Sequence, residues 1–290
     1  MWNRCSLCFL ALATAMLPEA HGQSEHVHIT ESGDYRYIVS DGIPTHAVGQ
    51  FPNRGNPNTI RLQYHRYRVP LLPKAADESR PYFLIPFGIA LNGIPFDPGA
   101  AEFWNGDPNW QYEALSDTNS LGLDFNNAHV QPTGAYHYHG TPIGLVDQLG
   151  VAKGMTLLGY AADGFPIYNA RIANYVKGPN ERVVTLRSSY RLKQGARING
   201  PNGLHDGTFV QDYEYVAGSG DLDECNGRFG PTPARPEGEY YYVISEDFPF
   251  IPRRFRGTPD PSFERRGPPR SGWRRGLEGP PPHRRPPPRF

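Results

Sequence analysis

The chain has 290 residues, with 29 basic and 29 acidic side chains and a formal net charge of +0. A hydrophobic share of 38% that includes 17 Tyr and 15 Phe supplies core material for one large domain or two small ones, while 32 Gly and 31 Pro argue for many turns and few long helices. No Gly-x-Ser-x-Gly, phosphate-binding loop or dinucleotide fingerprint is present, which excludes the usual serine-hydrolase and nucleotide-dependent designs, and specific nucleic-acid binding is not expected.

Arg4, the apolar run Leu7 to Leu17 and Ala20-His21-Gly22 have the pattern of a secretory signal, so residues 1–22 are expected to be a leader and the mature chain secreted or periplasmic. The run is short for a bilayer span, and nothing later is long and apolar enough for one. Cys5 and Cys8 fall in this leader, leaving Cys225 as a single thiol without a disulfide partner. His26 and His28 follow in a polar segment that reads as a frayed terminus or an accessory metal site. Tyr35 to Val39 predicts a strand and Asp41-Gly42-Ile43-Pro44 a turn; Gly49 to Asn58 is a loop. Ile60 to Tyr64 alternates as a strand, with Tyr67 to Leu71 as its partner. Tyr82 to Leu91 reads as a buried strand bent at Pro86 and Gly88. A short helix is expected within Leu145 to Leu158, a weak strand over Leu186 to Arg191, an alternating stretch over Phe209 to Val216 and a strand over Tyr240 to Ser245.

Two echoes run through this order. Asp41-Gly42-Ile43-Pro44, Asn92-Gly93-Ile94-Pro95 and Asp163-Gly164-Phe165-Pro166 share one form, and Gly134-Ala135-Tyr136-His137-Tyr138-His139 is echoed by Gly238-Glu239-Tyr240-Tyr241-Tyr242-Val243 without the histidines. They suggest recurring strand-turn units. From Arg253 onward there are 11 Arg against Asp260, Glu264 and Glu278, whereas Gln23 to Pro252 carries 17 basic and 25 acidic residues. The zero total therefore hides a cationic Pro/Arg-rich tail, residues 258–290, expected to be disordered and able to meet an anionic or cell-envelope surface.

The chemistry centres on Tyr136-His137-Tyr138-His139. In a strand, His137 and His139 share one face and the two tyrosines the other, so the imidazoles form a ready pair of metal ligands. His129 and His46 are the next candidate ligands, and His205 a weaker one; each could instead hydrogen-bond a loop. Imidazole donors suit copper or zinc. Asp163 and Asp206 are candidate proton carriers if the site is an enzyme. Asp221, Asp223 and Glu224 form an acidic loop that could hold calcium, although the run lacks the glycine and glutamate of an EF-hand. Trp104, Trp110 and Tyr112 could instead form an aromatic platform for glycans or cell-surface polymers, with the histidines structural; the partner is otherwise an unknown small molecule or a cell-envelope component. Neighbouring acids should raise the Cys225 pKa, so it is not read as a nucleophile.

The tetrad, together with Gly49-Gln50-Phe51-Pro52-Asn53, Asn92 to Pro98, Glu102-Phe103-Trp104, Asn126-Asn127-Ala128-His129, Asp163 to Tyr168, Asp206 to Phe209, Asp221 to Gly227 and Phe248 to Pro252, closely resembles the YHYH-domain family of exported, mostly bacterial proteins. The likeness spans roughly residues 40 to 260 and implies export and a domain of this size, with no activity attached. A cysteine often stands in that family where this chain has Arg254, so the resemblance implies a bridge to Cys225 that is lost here. The fold expected is mainly β, a single β-rich domain over residues 23–257, sandwich-like or irregular, with few short helices.

Overall fold

The computed structural model describes residues 25–83, 85–117, 121–150, 154–174 and 182–264. The expected leader and the tail beyond residue 264 lie outside the described residues. The strands are β1 (Val27–Ser32), β2 (Tyr35–Ser40), β3 (His65–Pro70), β4 (Arg80–Pro81), β5 (Gly88–Ala90), β6 (Pro95–Phe96), β7 (Ala128–Val130) and β8 (Tyr136–Tyr138). After the short helix α1 (Ile143–Gln148) come β9 (Leu157–Ala161), β10 (Pro166–Asn169), β11 (Arg171–Asn174), β12 (Arg182–Thr185), β13 (Tyr190–Leu192), β14 (Tyr213–Tyr215), β15 (Gly227–Gly230), β16 (Glu239–Ile244) and β17 (Arg254–Phe255).

An eight-stranded sheet, ordered β15-β16-β10-β9-β5-β6-β8-β7, forms the body, and β1-β2-β3 forms an antiparallel meander. Ile38, Val69 and Val27 from the meander share one buried cluster with Ile89, Phe96, Tyr136, Tyr138, Ile167 and Tyr242 from the large sheet. The expected mainly-β, sandwich-like architecture is thus present: two sheets close on one apolar layer. The opposite face of the large sheet carries a second cluster, Tyr168, Tyr241 and Val243 against Leu186 and Leu222.

The large sheet has an internal two-fold. At its centre Ile89 pairs with Tyr160, flanked by Gly88↔Ala161 and Ala90↔Gly159. On each side a tight hairpin follows: Gly93 N–H donates to the Ala90 carbonyl at 2.8 Å, and Gly164 N–H to the Ala161 carbonyl at 2.9 Å. Both glycines have positive φ, 79° and 95°, which explains their place in the two matching Gly-x-Pro turns. Outside the hairpins, β6 runs parallel to β8 (Phe96↔Tyr138) and β10 parallel to β16 (Ile167↔Tyr242). The edges match as well: His129↔His137 on one side corresponds to Arg228↔Tyr241 on the other. Matching aspartates close the turns into the edge strands. Asp124 accepts from Tyr136 Oη at 2.8 Å and Asp223 from Tyr240 Oη at 2.9 Å, with Asn127 and Asn226 at φ 54° and 52°. The short echoes in the sequence are the hydrogen-bonding corners of two equivalent four-stranded units.

Several local expectations change. Val27–Ser32 is a laddered strand rather than a frayed end, and His26 Nδ1 lies 2.8 Å from Asp41 Oδ2. Ile60 to Tyr64 is extended but joins no ladder: its amides reach single carbonyls, Arg61 N–H to Gly134 and Gln63 N–H to Asp41, and β3 pairs with β2 instead. Among the described residues of the apolar run, Gly88–Ala90 form the strand, after Pro86, which has no N–H to donate. The weak strand begins at Tyr190 rather than Leu186, and the helix at Ile143. The fold also continues past residue 257: Phe263 is buried and stacks on Tyr67 at 4.3 Å, and Asp260 pairs with Arg68 at 3.0 Å.

Candidate metal centre

Strand alternation assembles the site. His129 on β7 is the direct partner of His137 on β8, and His139 lies two residues beyond His137, so the three imidazoles emerge on one face at one sheet edge. Each pair of ring centroids is 4.7 Å apart, and one nitrogen from each ring lies within 4.8 Å of the other two. Among the described residues this is the one such group of three or more His, Cys, Asp or Glu donors. His137 and His139 are 3% and 1% exposed; His129 is half-buried.

Backbone carbonyls orient two of the rings. His129 Nδ1 donates to the Leu121 carbonyl at 3.0 Å, and His137 Nδ1 faces the Ala135 carbonyl at 3.3 Å. His139 is different: both ring nitrogens are buried without a partner in hydrogen-bonding geometry, although the Pro98 carbonyl faces the ring. Burial pushes the His139 pKa well below the ordinary histidine value, and the neighbouring His137 and His129 rings push it further. Burial also lowers the His129 pKa, against the Leu121 carbonyl and the charges of Glu102, Asp97 and Asp124. Both rings therefore stay neutral at pH 7, the form that ligates a metal.

The internal two-fold provides a built-in comparison. The positions of His129, His137 and His139 are filled in the other unit by Arg228, Tyr241 and Val243, and there Tyr241 and Val243 pack in an ordinary apolar cluster. The same backbone therefore folds without imidazoles.

The remaining candidates are engaged elsewhere. His46 sits on the tyrosine face: its Nε2 is 2.5 Å from Tyr138 Oη, its Nδ1 2.9 Å from the Ala47 carbonyl. It buttresses the tetrad from behind and is not in the triad. His205 Nδ1 meets the Gly195 carbonyl at 3.0 Å in a separate loop. Asp163 is the counterpart of Asn92 and lies on the tyrosine face, accepting from Tyr242 Oη at 2.6 Å and from Gly257 N–H at 2.8 Å. Burial pushes its carboxyl up to about 6. Asp206 is ion-paired with Arg197; against a desolvation that would raise it, Thr208 and Arg197 bring its carboxyl down to about 2.

The acidic loop is a turn rather than a calcium cradle. Asp223 caps Cys225 and Gly227 N–H, Asp221 accepts from Arg187 N–H, and Glu224 meets Ser79 and Arg254. Each carboxylate points to its own partner, so they do not converge. Cys225 is free and buried, and burial together with Asp223 and Glu224 pushes its thiol up to about 12. The aromatic platform does not form: Trp110 is 8% exposed and edge-on to Phe209, and Tyr112 packs on the same ring at 4.7 Å.

Sequence reasoning passed over one residue beside the triad. Asp97, 2% exposed, follows Phe96 on β6, and its N–H donates to the Tyr138 carbonyl at 2.9 Å. Phe96 faces the core, so alternation sends Asp97 to the imidazole face, next to His139. The signal was available in Pro95-Phe96-Asp97 as a strand whose polar member follows a core phenylalanine.

No curated protein and no solved structure matches the chain. Among the described residues no helix is long and apolar enough to cross a membrane. A family model described as YHYH protein matches residues 66–257, a stretch that contains the tetrad and the whole imidazole triad, and the chain belongs to that family.

Proposed function

We propose that the protein is an exported metal-binding protein whose centre is formed by His129, His137 and His139, with zinc or copper as the occupant. The observation that carries this reading is His139, fully buried with no hydrogen-bonding partner in good geometry at either ring nitrogen, and flanked by two imidazoles that each bring a nitrogen within 4.8 Å of its own. An unpartnered buried polar group costs about 1–3 kcal/mol, and a metal ion removes that cost while the neutral rings supply soft-to-borderline donors. Three protein ligands leave a fourth position for water or a small molecule. The leader-like residues 1–22 support export. The arginine-rich tail suits an anionic surface as its partner.

Elemental analysis of protein purified without chelators tests the proposal. The wild type is expected to carry close to one equivalent of a transition metal, and the double variant His137→Ala, His139→Ala none. Equal metal content in the two would refute it.

A further inference from the structure

Three neutral imidazoles bring no charge to a cation, and the triad is mostly buried. A bare divalent ion held there would keep both of its charges in a medium that solvates them poorly. The structure supplies a buried countercharge on the same face. The Asp97 carboxylate is buried on the imidazole face, with Tyr82 Oη donating to Oδ1 at 2.5 Å and Gln131 Nε2 donating to Oδ2 at 3.2 Å. Gln131 follows Val130 by one residue and so leaves its strand on the same face as His129. Asp97, Gln131 and the triad thus form one patch. Glu102 and Asp124 add negative potential at His129, whereas Arg253 stands near His139 with its own charge engaged by Glu113 at 2.6 Å.

The two-fold gives independent support. Phe96↔Tyr138 matches Ile167↔Tyr242, so Asp97 beside His139 matches Tyr168 beside Val243. The carboxylate is present in the unit that has the imidazoles and absent from the unit that lacks them. A residue needed only to build the sheet edge would not follow the histidines in this way.

We propose that Asp97 fits this centre to a divalent cation: its carboxylate balances one of the ion's two charges and anchors the water that fills the fourth position. This rests on the metal-binding reading above and extends it, because it selects a divalent ion such as Zn²⁺ over monovalent Cu⁺. Asp97 is then a positioning residue acting through the bound water, and Tyr82 and Gln131 fix the direction of its oxygens.

The test uses the metal ions themselves as probes. Wild type and Asp97→Asn are titrated with Zn²⁺ and, under anaerobic reducing conditions, with Cu⁺, each against a chelator of known affinity. The interaction of a fixed charge with an ion scales with the ion's charge, so the logarithm of the loss should be twice as large for the divalent ion. About a hundredfold loss for Zn²⁺ beside about a tenfold loss for Cu⁺ is expected, within the range found for outer-shell partners of metal ligands. Equal losses for the two ions, or none, would overturn the proposal, because general loosening of the fold weakens both alike. If Asp97→Asn does not fold, Asp97→Ser decides the matter: it removes the same charge with a smaller polar side chain, and Zn²⁺ should weaken more than Cu⁺ by the same rule. A wild type that binds neither ion would instead remove the metal reading itself, a result distinct from equal losses.

Discussion

Replacing His139 with the residue its counterpart carries, His139→Val, separates a ligand from a packing residue. In the metal-free protein the imidazole is 1% exposed with both nitrogens unpartnered, a cost of about 1–3 kcal/mol. Valine removes that cost but is smaller, and the space it leaves costs a comparable amount, about 24 cal/mol per Å³ of residual cavity. The two effects oppose each other, so the metal-free variant should lie within about 1 kcal/mol of wild type, whereas truncating a residue the core depends on costs about 2–5 kcal/mol. With free zinc at a hundred times the dissociation constant, wild type should gain about 2.7 kcal/mol and the variant, short of one ligand, far less. Urea unfolding followed by tryptophan fluorescence, in chelator and in buffered zinc, measures both differences. If His139→Val costs the metal-free protein about 3 kcal/mol or more and zinc moves neither midpoint, the imidazole belongs to the packing and the argument for a metal centre fails.

Three further outcomes follow from individual contacts. Asp163 holds its proton to about pH 6 in the folded state, above the value of an unfolded aspartate, so the folded chain binds the proton more tightly and stability falls as pH rises from about 4 to 6. Two pKa units correspond to about 3 kcal/mol; Asp163→Asn, which copies Asn92, should flatten this part of the curve and equal or exceed wild type at pH 7, and parallel pH curves for the two proteins would refute the assignment. His46→Ala should lose the Tyr138 contact and about 1 kcal/mol of stability yet keep its full metal content, and His205→Ala should change neither; metal loss in either by elemental analysis would place a ligand outside the triad. Cys225, 1% exposed with its thiol pushed up to about 12, should resist iodoacetamide at pH 8 until the protein is unfolded, and prompt labelling of native protein would contradict its burial.

Much of the site was legible because it depends on local geometry. Period-two alternation alone puts His137 and His139 on one face and the tyrosines on the other. His129 could be guessed from its nearness in the chain, since a hairpin-like return brings β7 back along β8. His46 could not be sorted the same way. Whether it reached the imidazole face or the tyrosine face depended on how a long Asn/Gly/Pro loop crosses the sheet, and no periodicity encodes that path. Asp206 was obscured for a related reason: its partner Arg197 lies across a loop whose closure is set by packing. The strand at Val27–Ser32 was missed because its outer residues are polar, an edge strand laddered on one side only.

The internal two-fold shows why the recurring strand-turn units appear in the sequence only as scattered echoes. The residues alike in both units do work that tolerates no substitute: a carboxylate that caps a turn and takes a tyrosine hydroxyl, an asparagine or glycine at positive φ, a proline starting a strand after that turn. Gly88 and Gly159 belong with them, since a Cβ on either would press on a carbonyl of the facing central strand, Tyr160 or Ile89. Positions on the outer face carry no such requirement, and there the units have diverged into an apolar cluster on one side and three imidazoles with a carboxylate on the other. The tetrad after which the family is named therefore combines two signals. Its tyrosines belong to the fold and recur as Tyr240 and Tyr242; its histidines do not recur, and they gather with His129 at one edge of the sheet.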